Sequence, residues 1–297
     1  MKPIFFNIVP SPPDERDWNF EPIVDEKVCP PNRLLLKGSS IRNQGIQGSS
    51  GAHVGAILAE YQVRKNKALK KKALSAQFIY DNRDDLHMCG REVMQILATK
   101  GTCLEKNHNQ PLAKHEIDPS VNDEAMQCRI LNYARVHTIQ TLKKALFVNG
   151  PCYISFPVYN HNVKMWVQHK DEKHLGGHAM TVVGYNKKGF ILRNSWGIFW
   201  KNKGYCCFPF QDWGCHHEVW TVITPNSYLI PRWKSVSWCI KKFNSFIKWT
   251  GRESTRPLSL VPDVEVVFEE QNEERGENEE RGDNDPKLED IFPEPES

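Results

Sequence analysis

Nowhere in the 297 residues do about 18 apolar positions run without a charge, so a membrane-spanning helix is not expected. The apolar stretch Ile4 to Val9 has one nearby lysine and no small-residue cleavage site, so no secretory signal is read and a cytoplasmic protein is expected. A disulfide framework is also missing. The nine cysteines are odd in number and scattered (Cys29, Cys89, Cys103, Cys128, Cys152, Cys206, Cys207, Cys215 and Cys239), which predicts free thiols, some of them acting as small buried apolar residues. There is no Gly-rich phosphate loop, and no recognition motif accompanies the lysines, so no nucleic acid is expected as a partner. Cys206, Cys207, Cys215, His216 and His217 lack the paired spacing of a zinc site, and adjacent cysteines on a strand point to opposite faces. They read as a hairpin, and neither a metal nor another cofactor is expected.

What is present is the balance of an ordinary globular body, with 39% hydrophobic and 25% charged residues. The net charge of +3 conceals a split: from Asp263 onward there are 15 acidic and 3 basic residues, a net −12. Four regions follow. Residues 1–32 are rich in proline and charge and read as an extended lead-in. Residues 33–224 hold the folded body. Within 225–262, Trp233, Val236, Ile240, Phe243 and Ile247 recur at helical spacing among Lys234, Lys241, Lys242 and Lys248. This basic amphipathic segment, centred on 232–248, has two readings: it lies on an anionic membrane surface, or it packs on the domain or the acidic tail. Residues 263–297 are that tail, too poor in apolar residues between Glu269 and Asp290 to order themselves.

Inside the body, helices come first and strands second. Ala52 to Lys72 reads as a buried helix with a lysine-rich end, followed by helices at Ser75 to Asn82 and Glu92 to Thr99. After Arg129, a short helix at Leu142 to Val148 precedes β-prone runs at Cys152 to Val158, Ala179 to Tyr185, Gly189 to Arg193, Tyr205 to Phe208 and Val219 to Ile223. The order predicts an α+β fold with a helical lobe and a sheet-rich lobe.

Two clusters carry candidate chemistry. In the first, Asn43 to Ala52, glycines and small residues run into an apolar helix, putting the Ser50 hydroxyl where backbone N–H groups favour negative charge. That position suits a nucleophile and equally suits a helix cap. In the second, His178 follows Gly176 and Gly177 at the start of one strand, and Asn194, Ser195, Trp196 and Gly197 follow the end of the next. An asparagine there can orient an imidazole across the hairpin without adding charge; a structural role for the histidine is the other reading.

Together, Gln44 and Gly45 ahead of Ser49–Ser50, Gly-His-Ala about 130 residues on, and Asn-Ser-Trp-Gly after it resemble the papain family of cysteine peptidases, especially its bacterial and large-virus branch. The resemblance runs from about Arg33 to Val222. It implies a two-lobe α+β fold, with a helical lobe, a β-barrel-like sheet lobe and the active-site cleft between them. It also implies roles: Ser50 at the nucleophile position, His178 as proton carrier, Asn194 orienting the imidazole, Trp196 covering that hydrogen bond, and Gln44 in the oxyanion hole. Three departures cluster at the nucleophile. Ser50 stands for the family's cysteine, Gly51 for the tryptophan after it, and Gln47 for a cysteine normally in a disulfide.

A cysteine beside a histidinium and a helix N-terminus can be a preformed thiolate, whereas a serine must lose its proton during attack. A neutral asparagine stabilises the resulting imidazolium less well than an aspartate, and in a serine protease that exchange costs roughly 10⁴ in kcat. Two readings follow: a proteolytically silent or strongly impaired homologue that binds a peptide or protein segment in the old cleft, or a weak hydrolase using Ser50, His178 and Asn194. About 33 residues ahead of the domain leave no room for the family's full inhibitory propeptide, although they can lie across a surface groove.

Overall fold

The structure, a computed structural model, describes residues 5–223 except 25, 37, 65–68, 70 and 71. These belong to one compact unit; a second, Ile230–Asp285, lies outside the described residues, as do the basic segment 225–262 and the acidic tail 263–297.

Helix α1, Ser50–Val63, is buried almost all round, with Gly51, Ala52, Val54, Gly55, Ala56, Ile57, Leu58 and Ala59 inside. Its small residues let other chains approach: a Cβ on Gly55 would fall 2.8 Å from the Val93 side chain. The expected continuation to Lys72 does not occur. The helix ends at Val63 with Arg64 as its cap, Arg64 stacks on the Tyr61 ring 3.5 Å away, and Leu69 and Lys72 lie outside it. Continuing would have set lysines three to four residues apart along one helix, and such like-charge pairs are unfavourable.

Helix α2, Ala76–Asp81, starts where Ser75 Oγ accepts the Phe78 N–H at 2.8 Å. Helix α3, Gly90–Thr99, buries Val93, Met94, Ile96 and Leu97 on one stripe. Helix α4, Pro119–Met126, has Asp118 as its cap and proline in its first turn, and buries only Ala125. Helix α5, Ile139–Asn149, begins at Thr138, whose side chain accepts the Thr141 N–H at 3.0 Å.

Seven strands form one sheet: β1 (Leu34–Leu35), β2 (Asn132–Arg135), β3 (Cys152–Val158), β4 (Gly176–Tyr185), β5 (Gly189–Arg193), β6 (Tyr205–Pro209) and β7 (Glu218–Ile223). The order is β2-β7-β3-β4-β5-β6, each pair antiparallel, with β1 beside the end of β4 past an irregularity between Val182 and Gly184. One face carries Ile154, Phe156, Met180, Val182, Leu192 and Phe208 into a core shared with α5. The other sends Tyr153, Ala179, Trp220 and Val222 into the core of α1, α2 and α3. The architecture is therefore α+β with a helical lobe against a sheet lobe, as the order of elements implied.

The described residues ahead of β1 form turns and isolated bridges rather than a helix or strand, and they are woven in. Phe20, Val24 and Val28 are buried in the sheet-lobe core, and Ile8 in the helical one. Asn19 bridges to Arg135, while Asp17 accepts from Arg91 and Arg135. The eight described cysteines are free. Burial raises Cys103 and Cys152 to about 12 and also raises Cys128, Cys206 and Cys207. Cys103, Cys128, Cys152 and Cys206 are buried thiols packed as apolar side chains rather than poised nucleophiles.

Candidate active site

The start of α1 meets the start of β4. Ser49 is the residue preceding the helix and makes no side-chain capping bond, while Ser50 is the first helical residue. The capping reading of Ser50 does not hold: its Oγ accepts the Ala179 N–H from β4 at 3.2 Å. This tie brings Ser50 beside His178, the residue before Ala179. Ser50 is 2% exposed and His178 1% exposed. Among the described residues no hydrogen bond joins the two.

His178 stands opposite Phe156 in the β3–β4 ladder, which fixes its backbone. Its Nε2 donates to Asn194 Oδ1 at 2.8 Å, and the same oxygen accepts the Ser195 N–H at 2.8 Å. A carbonyl oxygen only accepts, so Nε2 carries the proton and Nδ1 of the neutral ring keeps its lone pair. The Trp196 ring lies 4.6 Å from the imidazole, tilted by 34°, and Trp200 meets Trp196 edge-on at 5.4 Å. Desolvation dominates the titration of His178 and lowers it to about 4, against the opposing Asn194 bond and with a small push from His53. At neutral pH the imidazole is uncharged. It can accept a proton, but it cannot hold a preformed ion pair.

Gln44 is held from two sides: its Oε1 accepts from Ser195 Oγ at 2.7 Å and its Nε2 donates to the Gln47 carbonyl at 2.7 Å. Its backbone N–H also reaches the Ser195 carbonyl at 2.8 Å. One amide hydrogen of Nε2 is left for another acceptor. Asn194 Nδ2 and Trp196 Nε1 are buried and have no hydrogen-bond partner among the described residues.

All five sequence-predicted residues, Gln44, Ser50, His178, Asn194 and Trp196, thus converge. Three features escaped the sequence reading. Ser195 clamps Gln44, although its place inside the Asn-Ser-Trp-Gly run was a signal. His53, one turn along α1, is taken down to about 4 by desolvation; its Nδ1 donates to the Ser49 carbonyl at 3.0 Å and so cannot accept from the Ser49 hydroxyl 3.4 Å away. Phe6 lies edge-on to His178 at 6.2 Å and tilted to Trp196 at 6.3 Å, a contact no local pattern announces.

A helical lobe packed on an antiparallel sheet, with His178 near the start of β4 and Asn194 just past the end of β5, both near the N-terminus of α1, defines a two-lobed α+β fold. The family model described as papain family cysteine protease matches residues 36–219, and this chain belongs to that family. An uncharacterized peptidase C1-like protein of Acanthamoeba polyphaga mimivirus is 23% identical over 253 residues, 69% of this chain and 81% of that protein. Mouse cathepsin K is 30% identical over 182 residues, 56% of this chain; the match spans 54% of the cathepsin. Among solved structures, xylellain, a cysteine protease from Xylella fastidiosa, superposes with a TM-score of 0.65 at 24% identity, covering 75% of this chain and 97% of xylellain. That likeness bears on the fold. No helix among the described residues is long and apolar enough to cross a membrane.

Proposed function

We propose that Ser50 occupies the nucleophile position of this papain-family domain, and that the domain is proteolytically inactive or strongly impaired and binds a peptide or protein segment in its cleft. One observation carries the reading: the Ser50 hydroxyl sits at the start of α1, beside His178, accepting the Ala179 N–H at 3.2 Å. A thiolate there would be a ready nucleophile; a hydroxyl beside an uncharged imidazole backed by neutral Asn194 is a poor one. Gln44, His178, Asn194 and Trp196 would then shape a binding cleft. The protein sought as a partner presents an extended segment, and the region 232–248 adds an anionic membrane surface as a second contact.

A second reading has its own support. The Nε2–H tautomer leaves His178 Nδ1 free to act as a general base, which suits a slow hydrolase using Ser50, His178 and Asn194. A fluorophosphonate probe and a peptide library, applied to the purified chain and to His178→Ala, separate the two. The binding reading expects neither labelling nor cleavage. Labelling of Ser50 that disappears in His178→Ala would establish the hydrolase. Ser50→Cys is expected to gain thiol-peptidase activity if the rest of the cleft is competent.

A further inference from the structure

Past Asn194 the chain leaves the sheet for a turn, 197–204, whose tip is apolar and stands in solvent. Ile198 is 52% exposed and Phe199 100%. The base is pinned: Gly197 N–H donates to the Arg42 carbonyl and Asn194 N–H to the Gly204 carbonyl, each at 2.9 Å. Inside the turn, Gly204 N–H donates to the Trp200 carbonyl at 2.7 Å and Trp200 N–H to the Gly197 carbonyl at 3.3 Å. Trp200 packs edge-on against Trp196, and a Cβ on Gly204 would fall 2.7 Å from the Ile41 side chain. The tip is therefore held out on a firm base.

Lys201 and Lys203 follow the tip, both exposed and both in left-handed backbone, at φ 44° and 52°. That conformation is costly for a residue with a Cβ, so lysine is not the choice that folding alone would favour there. Neither ammonium pairs with a described carboxylate. The adjacent turn extends the patch. Asn43 forms an isolated bridge to Trp196, Phe5 N–H donates to the Ile46 carbonyl at 3.3 Å, and Ile46 and Phe5 are 48% and 66% exposed. Single exposed apolar side chains are ordinary; four of them on abutting segments, beside two lysines without a described counter-ion, mark an interaction surface.

We propose that this rim docks on an anionic lipid bilayer, with Ile198 and Phe199 entering the interface and Lys201 and Lys203 reaching the headgroups. Charge and shape both point to that occupant. A protruding ring exposed on every side needs a partner that closes around it, as lipid does, and the lysine stems beside it can keep their ammonium groups at headgroup depth. Each lysine near an anionic leaflet raises partition by roughly fivefold, and one phenyl ring removed from water by about tenfold. Trp200 touches Trp196 and Trp196 touches His178, so a docked rim sets the mouth of the cleft at the membrane surface. The docking is independent of peptide binding in the cleft, and of the contact proposed for 232–248, which uses a different stretch of the chain.

Co-sedimentation of the full chain with phosphatidylcholine vesicles, with and without about one-third phosphatidylserine, tests this. The unmodified chain is expected to pellet with the anionic vesicles and to be released by salt. Ile198→Ser/Phe199→Ser is expected to lower partition by about tenfold or more, Lys201→Glu/Lys203→Glu by about as much, and Phe199→Trp to keep it. The tip stands in solvent, so these variants are expected to melt with the unmodified chain. Hydrogen–deuterium exchange on the unmodified chain gives a reading that needs no variant: amides of 197–204 are expected to slow severalfold when anionic vesicles are added. Equal partition of the serine variant and the unmodified chain, with exchange at 197–204 unchanged, would overturn the proposal and leave any vesicle binding to other residues, 232–248 first among them. So would an unmodified chain that stays in solution beside the anionic vesicles, or one that self-associates through Phe199 without binding them.

Discussion

The two walls of the site are built on different principles. The histidine wall is made by adjacent strands of one sheet: His178 on β4, Asn194 just past β5, and Trp196 stacked over the pair. Its geometry follows from ladder register and bulky packing. The serine wall is a glycine-rich turn into α1, with little side chain of its own, and the space beside Gly48 and Gly51 is filled by Asn7 and Ile8. The histidine wall is held by its own ladder and takes Phe6 and Ile8 against Gly176 and Gly177, whereas the serine wall has its open space filled by side chains from a distant part of the chain. The difference teaches that the turn around Ser50 is defined by the shape it leaves open as much as by its own side chains.

The largest effect is expected behind both walls, where the sheet is tied to α3 and to the N-terminal residues. Glu218 on β7 is buried, accepts from the Gly90 N–H at 2.9 Å, from Ser11 N–H at 3.3 Å and from Trp220 Nε1 at 3.0 Å, and lies 3.5 Å from Arg135. It thus joins the sheet, α3 and the N-terminal segment. Glu218→Ala would leave three buried donors without their acceptor and Arg135 with Asp17 as its remaining carboxylate, and about 3–5 kcal/mol of stability should be lost in denaturant titration. A loss below about 1 kcal/mol would show that the sheet and α3 hold together without it.

Acidification should loosen the histidine wall next. His178 is lowered to about 4 in the fold, so between its unfolded value near 6.5 and 4 the unfolded chain binds the extra proton. Its contribution is fully present above pH 6.5 and is lost as the pH falls through 4, amounting to about 3 kcal/mol as an order of magnitude. His53 and His216, also lowered to about 4, titrate in the same window, so the comparison is with His178→Gln. The stability–pH curve of the variant should be flatter between pH 6.5 and 4; parallel curves would mean that the imidazole is hydrated and the wall open.

The serine wall is probed by Gly51→Trp, which puts bulk where Gly51 has none and evicts Ile8. Losing the burial of one isoleucine and overfilling the slot should cost about 2 kcal/mol. If the variant is instead as stable as the unmodified chain, the slot is not specific for Ile8.

The same contrast explains what could be read from the sequence. Strands β3 and β5 coincide with the β-prone runs, because apolar runs between Gly, Pro and Asn encode them locally. The five site residues sit in two short motifs, so their convergence was legible once the motifs were joined. Helix α4 was not, since it buries only Ala125 and leaves no periodic apolar stripe, and β2 spans four residues. The lysines after Val63 misled because charge at a helix end was read without the repulsion among them. The seating of Phe5–Val9 was illegible for a different reason: its partners Ile46, Gly51, Met88 and Gly177 lie far along the chain, and glycine leaves no pattern that says what will occupy its space.

The smallest effect tests the side-chain link that joins the walls beside the Ser50–Ala179 bond. Ser195 Oγ, on the histidine side, donates to Gln44 Oε1 at 2.7 Å, while Gln44 Nε2 is engaged by the Gln47 carbonyl on the serine side. Ser195→Ala removes one neutral hydrogen bond from a buried pair and should cost about 1 kcal/mol, with Gln44→Ala in the same background adding little more. Additive losses would mean that Gln44 is held by its own loop alone. A shared loss would mean that the serine wall takes the orientation of the Gln44 amide from the sheet across from it. Whatever hydrogen-bonding capacity the cleft offers a ligand would then be set by the rigid wall, leaving its shape to the glycine-lined one.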